Sequence, residues 1–185
     1  GKIIRDSFFQ VVSMVTTTGF TTVDYEKWPE LSKMVLLLMM FMGGCAGSTG
    51  GAIKQVRILL ILKAVKRKLT RLIHPKAVIP IVLGDSPVPE ETVDNILVFT
   101  LFYLLIFVVV SMILLTQGMD MLSSTSAVAA TLGNVGPGFG LVGPTTTYAG
   151  LTTLTKILLS FCMLLGRLEI YPIVTLFMPN FWRKA

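Results

Sequence analysis

Two stretches of this chain follow one plan: a short segment, a threonine–glycine loop, and a longer apolar run. Residues 6–15 lead into Thr16-Thr17-Thr18-Gly19-Phe20-Thr21-Thr22, and the apolar run 31–42 follows. Residues 120–130 lead into Thr131-Leu132-Gly133-Asn134-Val135-Gly136, and the apolar run 151–165 follows. The short segments fall well below the ~20 residues that a membrane-crossing helix needs. Each therefore reads as a segment that enters an apolar layer and turns back. Irregular backbone at that depth persists only where it lines a cavity or is buried in protein. Such a loop suits a cation leaving water. Main-chain carbonyls replace the hydration shell, and glycine supplies the dihedrals that turn them inward. Threonine adds a hydroxyl, and the C-terminus of a short helix adds partial negative charge. We read Thr17, Thr18, Gly19 and Phe20 as one candidate ion-binding loop, and Thr131, Leu132, Gly133 and Asn134 as a second.

Composition agrees with a membrane protein. Of 185 residues, 53% are hydrophobic and only 14% charged, against roughly 25% charged in soluble domains. The net charge of +6 does not point to nucleic acid, because the basic residues Lys54, Arg57, Lys63, Lys66, Arg67, Lys68, Arg71 and Lys76 sit beside apolar spans. That is the placement of cytoplasmic flanks under the positive-inside rule; a patch for anionic membrane lipid is the second reading. Cys45 and Cys162 have no disulfide or metal spacing, and His74 reads as an interfacial residue. No signal peptide is visible, and the chain reads as a fragment opening partway through a repeat. No Ser/His, His/Glu or paired-carboxylate arrangement lies within the spans, so we expect no enzyme.

Taken in order, residues 1–15 predict a short helix with Phe8, Phe9, Val12 and Val15 on one face, capped by Asp6 or Ser7. The polar stretch 21–30, with Tyr25 and Trp28, predicts an outer interface. The run 31–42 is too short to span alone. It is interrupted by Gly43-Gly44-Cys45-Ala46-Gly47-Ser48-Thr49-Gly50-Gly51 before helical patterning resumes over 53–68. Each glycine costs a helix about 1 kcal/mol, so five so close together predict a discontinuous helix with a loop inside it. That loop reads as a movable gate below the ion-binding loops; a glycine patch for helix packing is the alternative. A phosphate-binding reading fails, because Lys54 lies between Ile53 and Gln55 rather than in Gly-Lys-Ser/Thr. Residues 66–91 predict a cytoplasmic linker with a basic helix end and a short hairpin at Gly84-Asp85. Residues 93–116 predict a transmembrane helix. Residues 151–176 predict a last membrane helix, kinked at Pro172, and Trp182, Arg183 and Lys184 a cytoplasmic anchor.

Aligning Gly19 with Gly133 sets Thr17 opposite Thr131. It makes the second outer turn nine residues longer, since glycine to lysine is 14 in the first copy (33 − 19) and 23 in the second (156 − 133). Lys33 to Gly43 and Lys156 to Gly166 are both ten apart, which sets Gly44 opposite Arg167. An arginine in an apolar helix costs at least ~2.5 kcal/mol on insertion scales. Arg167 therefore reads either as a pore-lining charge or as a structural partner of loop carbonyls.

Thr-Thr-Thr-Gly-Phe-Thr-Thr, Gly-Gly-Cys-Ala-Gly-Ser-Thr-Gly-Gly and Thr-Leu-Gly-Asn-Val-Gly-Pro-Gly resemble the Trk/Ktr/HKT superfamily of potassium transporters, most closely the bacterial TrkH-type membrane subunits. The resemblance covers essentially the whole chain. It implies an all-α membrane protein of four helix–pore loop–helix repeats around one pore, located in the bacterial cytoplasmic membrane. This chain would hold the third repeat without its first helix (1–65), the linker (66–91) and the complete fourth repeat (92–185). The resemblance further implies a selectivity filter with Gly19 and Gly133 contributed here, an intramembrane gate at residues 43–51, and Arg167 below the filter. Potassium would be the transported ion, bound at the filter only, with no organic cofactor in this chain. A homodimer and a cytosolic nucleotide-binding regulatory subunit are implied as partners, beside the remaining repeats. Two filter quarters cannot enclose an ion, so this stretch alone should not conduct. A non-transporting scaffold, whose glycines only pack helices, is the competing function.

Overall fold

The computed structural model describes residues 1–48 and 50–168. Thr49 of the glycine loop, and Glu169, Pro172, Trp182, Arg183 and Lys184, lie outside the described residues. Among the described residues, the regular structure is helical apart from one small hairpin.

Helix α1, Lys2–Val15, starts earlier than its polar residues predict, with Gly1 as its cap. Asp6 does not cap it; the carboxylate lies inside the helix, 3.0 Å from Arg5 Nη2. The helix is also inverted relative to a soluble one. Ile3, Ile4, Phe8 and Val12 are exposed, while Asp6, Gln10, Ser13 and Met14 are buried. An outward apolar face suits lipid or further membrane-embedded protein. A 3-10 turn, Tyr25–Lys27, follows, held by Asp24 accepting from the Glu26 N–H. Helix α2, Glu30–Phe41, starts on the carbonyl of Pro29, which accepts from the Ser32 and Lys33 N–H groups.

The glycine cluster breaks the next helix as its composition requires. Helix α2 ends at Phe41, and α3, Gln55–Ile73, starts after thirteen intervening residues (54 − 41). The ends of the break are joined. Ile53 N–H donates to Phe41 O at 3.0 Å, Gly43 N–H to Ile53 O at 2.9 Å, and Gln55 N–H to Gly44 O at 3.2 Å. The linker hairpin pairs β1, Val82–Leu83, antiparallel with β2, Ser86–Pro87, around Gly84-Asp85. Lys63 Nζ donates to Val82 O at 2.6 Å, and Arg67 meets Glu90 at 2.9 Å, which fixes the linker against α3.

Helix α4, Glu90–Thr116, has 27 residues, or about 40 Å at 1.5 Å per residue. Among the described residues it is the one helix long and apolar enough to cross a membrane. Helix α5, Met121–Leu132, is capped by Asp120, whose carboxylate accepts from Ser123 N–H at 3.0 Å. Helix α6, Thr153–Arg167, is capped by Thr152. Its last described helical residue is Arg167, with Leu168 after it; the part of the expected helix beyond 168 lies outside the described residues.

Helix α5 is the hub. Its Val128 and Leu132 pack with Tyr103, Leu114, Leu159 and Cys162 of α4 and α6. Its Ala129 and Ala130 pack with Met14, Leu36 and Met40 of α1 and α2. Ser123, Ser124, Ser126, Ala127, Ala129 and Ala130 are all fully buried. Small side chains let α2, α4 and α6 approach one short helix closely, which is how helices associate where lipid removes the hydrophobic driving force.

Candidate functional site: two loops over a glycine break

The two loops leave their helices by the same four hydrogen bonds. In the first, the N–H groups of Thr16, Thr17, Thr18 and Gly19 donate to the carbonyls of Val12, Met14, Ser13 and Ser13. In the second, those of Gly133, Asn134, Val135 and Gly136 donate to Ala129, Thr131, Ala130 and Ala130. Every donor and every acceptor is offset by 117. The backbone agrees, since Thr17 and Asn134 have φ of 53° and 55°, and Gly19 and Gly136 have φ of 73° and 112°. Gly19 therefore corresponds to Gly136, not to Gly133, and the expected alignment is three residues out. The long helices start 123 apart, at Glu30 and Thr153. The second outer turn is then longer by six (123 − 117), not nine.

The corrected register changes what the second loop offers. Thr131 and Leu132 are fully buried in the last turn of α5, and the Thr131 hydroxyl donates to Ala127 O at 2.7 Å. They are helix, not loop. Gly133 has an ordinary helical φ of −75°. It is glycine because a Cβ would stand 2.6 Å from Met40 O and 2.8 Å from Ala129 O. The counterpart of Thr17, Thr18, Gly19 and Phe20 is Asn134, Val135, Gly136 and Pro137.

The two loops touch. A Cβ on Gly19 would collide with the carbonyl oxygen of Val135 and stand 3.1 Å from Pro137 Cδ. The first loop is held from behind by Ser13 Oγ, which donates to Phe20 O at 2.7 Å. The second is held at more points. Tyr148 Oη donates to Gly136 O at 2.6 Å, and Tyr25 Oη to Gly138 O at 2.9 Å. Phe139 N–H donates to Ser126 Oγ at 2.8 Å, and Gly140 N–H donates to Glu26 Oε1. Tyr25 also meets the Phe139 ring edge-on at 5.3 Å. Tyr25 and Glu26 thus bind the first half of the chain to the outer turn of the second. Burial, with Glu26 and Asp24 nearby, pushes the Tyr25 phenol upward, so it stays a donor.

Beneath the loops lies the base of the glycine break. A Cβ on Gly50 would stand 3.1 Å from Thr17 Oγ1. A Cβ on Gly51 would collide with Gly133 O and approach Asn134 Nδ2 to 2.9 Å. The corresponding left-handed residues of the two loops, Thr17 and Asn134, therefore each face one of two successive glycines. Gly166 is equally tight, facing Leu132 O and Asn134 Nδ2. The tip, residues 45–48, is exposed. Arg167, with Gly166, Ser48, Gly50, Lys54 and Arg57, lines a cavity of about 170 Å³ beside the break. The Arg57 guanidinium lies 4.1 Å from the Phe99 ring centre. Among the described residues, no cluster of three or more His, Cys, Asp or Glu could hold a metal.

The residues that sequence reasoning missed are Val135, Gly136, Pro137, Ser13, Tyr25, Ser126 and Tyr148. The Gly136-Pro137 dipeptide was a usable signal, because it marks the end of helical backbone. The tyrosines, lying 12 residues or more from the carbonyls they hold, carry no local signal.

The family model for TrkH, described as a cation transport protein, matches residues 1–184. A potassium uptake protein TrkH of the Trk system in Salmonella typhimurium is 44% identical over 181 residues, covering 98% of this chain and 37% of that protein. Its namesake in Vibrio parahaemolyticus is 46% identical over 178 residues, 96% of this chain and 36% of that protein. The crystal structure of the potassium transporter TrkH from Vibrio parahaemolyticus superposes with a TM-score of 0.86 at 45% identity, covering 96% of this chain and 37% of that one. The chain thus spans little more than a third of the length of the relatives it matches.

Proposed function

Because the chain belongs to the TrkH family of cation transport proteins, we propose that it supplies two of the four filter loops of a potassium-uptake pore in the bacterial cytoplasmic membrane. The observation that carries this reading is the meeting of Gly19 with the Val135 carbonyl, which sets two helix-terminal loops side by side. A potassium ion entering from outside exchanges its water for those main-chain oxygens of residues 17–20 and 134–137 that the loops leave facing the path. The C-termini of α1 and α5, beside those loops, add partial negative charge. Below, the residue 43–51 break closes the path by resting against Thr17 and Asn134, with Arg167 beside it in the cavity that Ser48 and Gly50 also line. An inside-negative potential draws the ion in with ~2.3 kcal/mol per charge per 100 mV.

The remaining loops come from the rest of a longer protein. The groove between α1 and α2, about 610 Å³ and lined by Val11, Trp28, Val35 and Leu36, supports that view. Their counterparts are Val128 (11 + 117), Leu151 (28 + 123), Leu158 (35 + 123) and Leu159 (36 + 123), all in the cluster packed with α4. A helix equivalent to α4 belongs in the groove. Assembly as a homodimer with a cytosolic nucleotide-binding subunit follows from the family resemblance.

The test is rubidium-86 uptake by the full-length protein carrying Gly136→Ser, in cells lacking other potassium uptake. The substitution places a side chain at a φ that only glycine adopts readily. Uptake or selectivity should change; if both match the parent, the filter assignment fails.

A further inference from the structure

We propose that Tyr148 is a selectivity-positioning residue, whose hydroxyl fixes the orientation of the Gly136–Pro137 peptide and so decides which oxygens the second loop presents to an ion. The inference rests on the potassium-pore reading above. Three carbonyls of this loop have separate destinations. That of Val135 faces Gly19 of the first loop. That of Gly136 takes the Tyr148 hydroxyl at 2.6 Å, and that of Gly138 takes Tyr25 at 2.9 Å.

The Gly136–Pro137 peptide needs such a tether. Proline follows, so the peptide has no N–H to anchor. Gly136 has no side chain, and nothing lies within 4 Å of where its Cβ would be. Free rotation there would move the Gly136 oxygen and alter the number of carbonyls around the ion, a quantity on which discrimination between potassium and sodium depends.

The first loop has a different anchor. Its Ser13 hydroxyl reaches Phe20 O from the supporting helix. The corresponding position in α5 is Ala130 (13 + 117), which has no hydroxyl. The second loop is instead held from outside, by a residue of the longer outer turn. Burial pushes the Tyr148 phenol up to about 12, so it remains a donor at physiological pH.

Tyr148→Phe removes the hydroxyl and keeps the ring. In the full-length protein, rubidium-86 uptake is measured with and without competing sodium and normalised to protein in the membrane. The preference for rubidium over sodium should fall about fivefold, the loss expected of one hydrogen bond. Purified protein gives a second readout, because the difference in melting temperature between potassium and sodium should shrink. A parental preference in Tyr148→Phe, or reduced uptake at an unchanged ratio, would overturn the inference. If the parent itself shows no preference for potassium, the pore reading fails instead.

Discussion

Gly19→Ala should be among the most damaging single-methyl additions to this chain. Two costs combine. Gly19 has a φ of 73°, and a non-glycine residue in left-handed backbone costs roughly 1–2 kcal/mol. The added Cβ would also collide with the Val135 carbonyl and stand 3.1 Å from Pro137 Cδ. Overpacking of this kind costs typically ~1–3 kcal/mol. Neither obstacle is a flexible side-chain tip, and the second loop is tied by Tyr148, Tyr25 and Ser126. The expected loss is about 2–5 kcal/mol. Two other glycines separate the terms. Gly136→Ala meets only the dihedral cost, since no atom lies within 4 Å. Gly133→Ala meets only the steric one, at φ −75° with Met40 O 2.6 Å away. Melting of the purified full-length variants should rank Gly19→Ala lowest, with both others between it and the parent. Gly19→Ala melting at the parental temperature, or above both other variants, would refute the contact between the loops.

Two further outcomes follow from the geometry. Deleting residues 47–50 should raise rubidium-86 flux. The hydrogen bonds of Gly43 and Ile53 still close the neck of the break, while Gly50 no longer faces Thr17; flux that falls or stays constant would mean that the loop is no barrier. Asp120→Ala should cost about 1 kcal/mol through loss of the α5 cap, and the cost should depend on pH. Hydrogen bonds from Ser123, side chain first and main chain next, hold the Asp120 carboxyl below the usual carboxylate range. A depressed folded-state value means the stabilisation is fully present above the unfolded value of about 3.9 and is lost as pH falls through the folded one. Melting curves of parent and variant should therefore differ at pH 7 and converge in acid; a gap unchanged by acidification would sink the capping assignment.

The sequence disclosed those features that composition alone can force. Five glycines in nine residues broke the helix between Phe41 and Gln55, and the uncharged run 95–116 made most of the long helix α4. The Lys33–Lys156 spacing also matched the true register of the long helices, because both begin 123 residues apart. The loops were misread because one letter serves several physical demands. Gly136 is glycine for its dihedrals and Gly19 for dihedrals and close approach together, whereas Gly133 and Gly51 are glycine for close approach to a backbone oxygen alone. Matching Thr-x-Gly to Thr-x-Gly paired a loop glycine with a helix-end glycine. Only the hydrogen bonds that end each helix tell the two apart.

On the proposed pore reading, that distinction bears on the path of the ion. The two halves agree in backbone, bond for bond at an offset of 117, yet differ in what holds the backbone in place. Ser13 supports the first loop from its helix, and Tyr148 and Tyr25 support the second from the outer turns. One of those supports crosses between the halves, since Tyr25 belongs to the first and Gly138 to the second. A change in the first outer turn therefore acts on the second loop. The loops cannot be tuned independently, and a pore built from such quarters need not be four-fold symmetric in stiffness even where its oxygens are symmetric in position.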